Sequence, residues 1–327
     1  MRYAGALIQR VCKLAGQPSW VDDLRFEAIE ADLVTAIERH DTPAIFDWLM
    51  NILSFQGISD AVADGYIAQH GNVRWTQING ALTSESGCPK LAGYWTFTRC
   101  LYHKGTQTCA EPDHFKACPL PRHHLRNGRL NQTAYSLFLF VRDVADGNIV
   151  RWIEQQLAPH IDRNDLAAAR RSLVDPLRYV YGVSDKVVTM ALATLLMGGG
   201  ANRPCWFDVG AGLIVVDTLV HNFLARTGIL ARLRASHVYG PACYRPNGCA
   251  VVLEKISTQI DARHFNPEFP KTFPRFVQHS IWRYCAQSGA DICNGNQIDD
   301  RGRCTNMWCR LYGQCDRLAL HQPSRSS

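Results

Sequence analysis

Apolar residues recur at helical spacing through most of this chain and nowhere alternate over the length of a strand, so a sheet has little to be built from. Leu24, Ile29, Leu33 and Ile37 fall roughly one turn apart between charged residues, which predicts an amphipathic helix over 22–39. The run PAIFDWLMNILSF, Pro43 to Phe55, is too apolar for a surface helix, and Pro43 suits a first helical position, so a buried helix is expected there. Further helices are expected around 133–144, 148–157, 164–174, 185–197, 217–226 and 274–285. The expected fold class is all-α. Three segments break the pattern and read as insertions: 80–132, rich in Cys, His, Gly and Pro; 198–212, with Gly198, Gly199 and Gly200 in a row; and 236–248.

At 327 residues, with 46% hydrophobic and 20% charged, the composition is globular and suits one large or two modest domains. Collagen-like, coiled-coil and disordered chains are excluded. The longest nearly apolar stretch, Val187 to Ala201, falls short of the roughly 20 residues that span a bilayer, and Ala4 to Ile8 is too short for a signal-peptide core. A cytoplasmic protein with no membrane partner is expected.

The net charge is +6, and only seven of the 35 basic residues are lysine. Arginine's planar fork suits phosphate oxygens, so the excess leaves room for a polyanionic partner, although an arginine-rich surface of no function has the same composition. The 13 cysteines say more. An odd, high count without a secretion signal points to metal or cluster ligands rather than disulfides.

Cys293, Cys304, Cys309 and Cys315 are separated by ten, four and five residues. Four thiolates in one compact loop can wrap a tetrahedral zinc or a [4Fe–4S] cube. Only the Cys304/Cys309 gap comes near a zinc knuckle, so a cluster is the first reading, with zinc or unligated cysteines as alternatives and Cys285 as a spare ligand. A second set, Cys88, Cys100, Cys109 and Cys118, lies in the 80–132 insertion with His103 and His114 nearby. It could bind a second metal and so order a long loop. Ordinary cysteines are the alternative.

In YVYGVSDKVVTMALATLL, Tyr179 to Leu196, a helix ends at a glycine turn and a second begins at Ser184 or Asp185. The second helix would offer backbone N–H groups to a phosphate. IVVDTLVHNFLARTG follows, Ile214 to Gly228, and then the cysteine loop. In this order the chain resembles the helix-hairpin-helix DNA glycosylase superfamily, especially its endonuclease III-like members with a C-terminal iron–sulfur loop. The residues matching the family's L-P-G-V-G-x-K hairpin are Gly182, Val183, Ser184 and Lys186; Val216, Asp217 and Thr218 match its V-D-T helix start; and the four C-terminal cysteines match its cluster ligands. The run ILSFQGISDAVADGYIAQHG, from Ile52, resembles the family's L-S-x-Q-T-x-D segment, and FVQHSIWRYCAQSGADIC its approach to the cluster. The chain departs from the family at Ser184, which replaces the second hairpin glycine, in the 198–212 insertion, and in the longer first two cysteine intervals.

The resemblance implies a two-lobed fold: a central helical lobe over 41–216 with the hairpin and the 80–132 insertion, and a discontinuous lobe of 1–40 and 217–327 with the cluster. It implies a monomeric base-excision glycosylase with AP lyase activity, acting on double-stranded DNA containing a damaged or modified base. Lys186 would attack the sugar, Asp217 would stabilise its developing positive charge, and Gln56 would fill the gap left by the flipped nucleotide, with Gly182 and Ser184 at the DNA backbone. Cys293, Cys304, Cys309 and Cys315 would hold one [4Fe–4S] cofactor. The alternative is a metal- or cluster-bearing DNA-binding protein without catalysis, and a glycosylase acting on RNA or on a modified phage genome is a third reading.

Overall fold

The computed structural model describes residues 1–320 except 56, 57, 59, 86, 124, 126, 127, 201 and 295–297. Gln56 therefore lies outside the described residues. The chain is mostly helical, and among the described residues its only paired strands are Tyr102–His103 and Thr108–Cys109, a short antiparallel hairpin inside the 80–132 insertion. Among the described residues no helix is long and apolar enough to cross a membrane. The chain divides into two compact units, one of Met1–Asp23 with Gly210–Ser327 and one of Leu24–Val209. These joins lie at 23/24 and 209/210, where the resemblance put them at 40/41 and 216/217.

In the Leu24–Val209 unit the apolar run at Pro43 forms helix Thr42–Ser54, whose N-cap Asp41 accepts from the Ala44 N–H at 3.1 Å. It buries Ile45, Phe46, Leu49, Met50 and Leu53, which form two rows at four-residue spacing, Ile45/Leu49/Leu53 and Phe46/Met50. Helix Asn131–Asp143 is buried from Asn131 to Val141. Helices Ile149–Ile161 and Leu166–Leu177 pack together, and Asn148 and Asp165 cap them through the Arg151 and Ala168 amides.

Two expectations need correction here. The stretch 22–39 is two helices, Trp20–Glu30 and Leu33–Glu38, because Asp32 between them adopts a left-handed φ of 53°, a conformation that aspartate tolerates and that interrupts the helix. The 198–212 segment is not an irregular loop, since it contains helix Pro204–Ala211, started by Pro204. Its glycines extend helix Asp185–Thr194 by a wider turn, Leu195–Gly199, and serve close packing: a Cβ on Gly199 would stand 2.3 Å from the Ile37 Cδ1.

In the other unit, helix Arg2–Ala15 packs its Leu7, Ile8 and Val11 face on helix Pro274–Cys285, where Phe276, Val277 and Ile281 are buried. Each of these apolar side chains contributes about 1.5–3 kcal/mol by leaving water. Helix Thr218–Arg226 also packs on Pro274–Cys285, which places the V-D-T helix start and the approach to the cysteine loop in one core.

Candidate functional site

The hairpin turn joins helix Leu166–Leu177 to helix Asp185–Thr194. Gly182 takes φ +74°, as the first glycine of such a turn must, and the backbone of Ser184 is extended at φ −87°, ψ 157°, so a serine fits where the family pattern has glycine. Helix Asn131–Asp143 grips the turn from beneath: the Thr133 hydroxyl donates to the Tyr181 carbonyl at 2.9 Å, and the Ser136 hydroxyl accepts from the Tyr181 N–H at 2.9 Å. Arg178 ties the two helices by bonding Asp175 at 2.6 Å and Asp185 at 2.5 Å. Lys186 follows as the second residue of its helix and is half-buried. Gly182→Ala should cost about 1–2 kcal/mol of stability, because an alanine is strained at positive φ and its Cβ would press on the Thr133 Oγ1 at 3.3 Å. Denaturant unfolding checks this, and an unchanged midpoint would mean that the turn relaxes.

Beside the hairpin, Trp95 and Tyr179, each 60% exposed, meet edge to face with ring centroids 5.9 Å apart. The insertion also borders the turn, through an open pocket lined by Cys100, Tyr102, His103, Lys104, Gln132 and Tyr181 among others. Within the insertion, burial pushes the Cys118 thiol up to about 11, and the neighbouring thiols of Cys88, Cys100 and Cys109 push it the same way. The fold thus gathers the four insertion cysteines into one neighbourhood.

Asp217 lies in the other unit, as the N-cap of helix Thr218–Arg226. Its Oδ1 accepts from the Val220 N–H at 2.8 Å. Before it, the Val216 N–H donates to the Tyr244 hydroxyl at 2.8 Å. The Arg275 guanidinium is buried, and desolvation draws it down to about 10 while the charges of Tyr244 and Asp217 oppose that drop. Asp217 therefore has a buried cation within electrostatic reach.

The far end of the same helix meets the cysteine loop. Arg226 is buried, its guanidinium pairs with Asp300 at 2.5 Å, and its carbonyl accepts from the Leu318 N–H at 2.8 Å. Cys293, Cys304, Cys309 and Cys315 all line one small cavity, which Phe223, Arg226, Tyr284 and Leu311 help to close. Backbone donors point at its sulfurs, the Leu311 N–H at 3.4 Å from Cys309 and the Arg317 N–H at 3.3 Å from Cys315, and the Tyr284 hydroxyl shares a hydrogen bond with the Cys309 thiol at 3.2 Å. Burial pushes Cys315 up to about 11, and the thiols of Cys293, Cys309 and Cys304 add to that shift. Cys285, the spare ligand, is fully buried against Cys293, whose thiol it holds below the ordinary value by hydrogen bonding. Between Cys304 and Cys309 the loop exposes Met307 (76%) and Trp308 (94%), flanked by exposed Arg301, Arg303 and Arg310.

A further constellation escaped the sequence reading. His221, His237, Cys243 and Cys249 bring one ligand atom each to within 4.8 Å of one another, which no other set of three or more His, Cys, Asp or Glu does among the described residues. Intervals of 15, five and five residues contain no knuckle, so nothing in the local pattern marked them. The usable signal was two cysteines and a histidine in or beside the irregular 236–248 segment, which follows a helix bearing another histidine.

Comparison of the chain with protein-family models, with curated proteins and with solved structures finds no match.

Proposed function

We propose that this protein is a DNA base-excision glycosylase with AP lyase activity, and that Cys293, Cys304, Cys309 and Cys315 hold a [4Fe–4S] cluster. The observation that carries the reading is that one short helix joins the two features the resemblance pairs, with Asp217 at its N-terminus and the four-cysteine cavity at its C-terminus. A single zinc holds its thiolates about 3.8 Å apart, the edge of a tetrahedron with bonds of about 2.3 Å, whereas these four sulfurs do not all lie within 4.8 Å of one another, and backbone N–H groups are aimed at those of Cys309 and Cys315. When bound, the cluster would tie the irregular loop together by ligation, leaving Trp308 and the loop arginines exposed to a polyanion.

Base excision breaks a C1′–N bond while positive charge develops on the sugar. Asp217 supplies a fixed negative charge, held in orientation by the Val220 N–H. The Lys186 amine attacks C1′ and the base departs with the C1′–N bonding electrons and takes up a proton; the C1′–O4′ bond then breaks with its electrons going to O4′, which is protonated, and the iminium left between C1′ and the lysine nitrogen loses a C2′ proton as the 3′ C–O bond breaks and the 3′ phosphate leaves. The hairpin amides at Ser184 and beyond receive a backbone phosphate, and Arg178 offsets the charge of Asp185 at that helix start.

Asp217→Asn tests the electrostatic role cleanly, because an asparagine oxygen can still accept from the Val220 N–H and keep the helix capped. Single-turnover base release should slow by about 10²–10³-fold with stability changed by less than about 0.5 kcal/mol. Release at the wild-type rate would remove Asp217 from the mechanism.

A further inference from the structure

We propose that His221, His237, Cys243 and Cys249 form a structural zinc site, separate from both cysteine quartets. Helix Thr218–Arg226 supplies His221, one turn beyond Asp217; the 233–248 connection supplies His237 and Cys243; and Cys249 opens helix Cys249–Ser257. All four residues belong to the same compact unit.

The distances carry the assignment. The His221 Nδ1 is 3.3 Å from the Cys249 Sγ and 3.6 Å from the Cys243 Sγ, and the His237 Nε2 is 3.4 Å from the Cys249 Sγ. Around a tetrahedral zinc with bonds of about 2.0–2.1 Å to nitrogen and about 2.3 Å to sulfur, each N···S edge is about 3.6 Å. Ordinary hydrogen bonding does not account for the arrangement equally well. The Nδ1 of a histidine has one lone pair or one proton and can satisfy one sulfur, yet here it faces two. Four ligand atoms all near one another are what a central cation requires.

The surroundings agree. The His237 Nδ1 lies 2.6 Å from the Ala235 carbonyl, so it carries the ring proton and donates it, leaving the Nε2 lone pair for the metal. Such an outer partner is the usual device that fixes the tautomer of a histidine ligand. His221, Cys243 and Cys249 are buried, and His237 is half-buried. With four protein ligands there is no open position for substrate or water, so the metal is structural, and an S₂N₂ tetrahedron selects zinc.

The segment being fastened needs such a tie. Between helices Ile229–Arg232 and Cys249–Ser257 the chain has only the short turn Pro241–Tyr244, and Arg234, Gly240 and Asn247 all sit at positive φ. Its tip exposes Val238 (84%) and Tyr239 (40%), and the Tyr239 ring stands 5.7 Å from that of His221. Metal ligation closes this strap onto the helix that Asp217 caps. The zinc assignment stands whether or not Asp217 takes part in catalysis.

Zinc content and zinc-edge X-ray absorption of the full-length protein test the proposal without any substrate. Wild type should contain a zinc with nitrogen and sulfur ligands. His237→Ala should lose one zinc per chain, and His237→Cys should keep it while one nitrogen of the shell is replaced by sulfur at about 2.3 Å. Folded wild-type protein free of zinc, or equal zinc in wild type and His237→Ala, would overturn the assignment. If His237→Ala fails to fold, the ligand exchange in His237→Cys still decides, since an unchanged shell there is equally fatal.

Discussion

Lys186→Gln is expected to abolish strand cleavage and covalent trapping on a duplex that the wild-type protein processes, by roughly 10³-fold or more. The covalent route needs an amine to form the imine, and no glutamine substitutes for one. Lys186 is half-buried in the first turn of its helix, so the substitution removes one charge without opening a core. Duplex binding should weaken only slightly, its log–log salt slope changing by no more than about one. Borohydride added during turnover reads the imine directly as protein fixed to DNA. If Lys186→Gln releases base normally and fails only to cut, Lys186 serves the lyase step alone and a water activated beside Asp217 is the nucleophile. If cutting and trapping persist unchanged, Lys186 has no chemical role.

The second large effect is expected at the cysteine loop. Cys304→Ala should remove four irons per chain relative to wild type and bleach a brown protein. It should also destabilise the C-terminal region by more than about 4 kcal/mol, because the described residues of 293–315 form no helix and ligation would hold them together. Iron analysis and limited proteolysis of the two proteins side by side check this. The difference between them is unaffected by whatever the insertion cysteines or the His221 site hold. Equal iron in both, or a wild-type loop that carries one zinc and no iron, would refute the cluster.

The elements readable in the sequence are those whose signals are local. Asp217 was recognisable because a V-D-T start combines an N-cap with the apolar face that follows, and helix Pro274–Cys285 begins at the proline that marks it. Ser184 looked like a defect in the hairpin, but only Gly182 needs positive φ, a distinction that depends on backbone angles and not on residue type. The glycine triplet misled for a different reason. Glycine breaks helices in isolation, yet Gly199 is there so that Ile37 can approach, and that contact joins residues 162 positions apart. The same non-locality hid the His221 site. Its ligands come from two helices and a loop, and only packing shows that they meet. The cysteine loop was legible because all four cysteines lie within one stretch of 23 residues.

The most direct test of the central claim is incubation of the wild-type protein with a panel of duplexes carrying single damaged or modified bases, with borohydride present and the products resolved by denaturing electrophoresis and peptide mass spectrometry. The account predicts that at least one duplex loses its base and is cut, and that the trapped peptide carries the sugar on Lys186. A protein that binds these duplexes but releases no base from any of them, and forms no adduct, would contradict the account and leave a DNA-binding protein without catalysis.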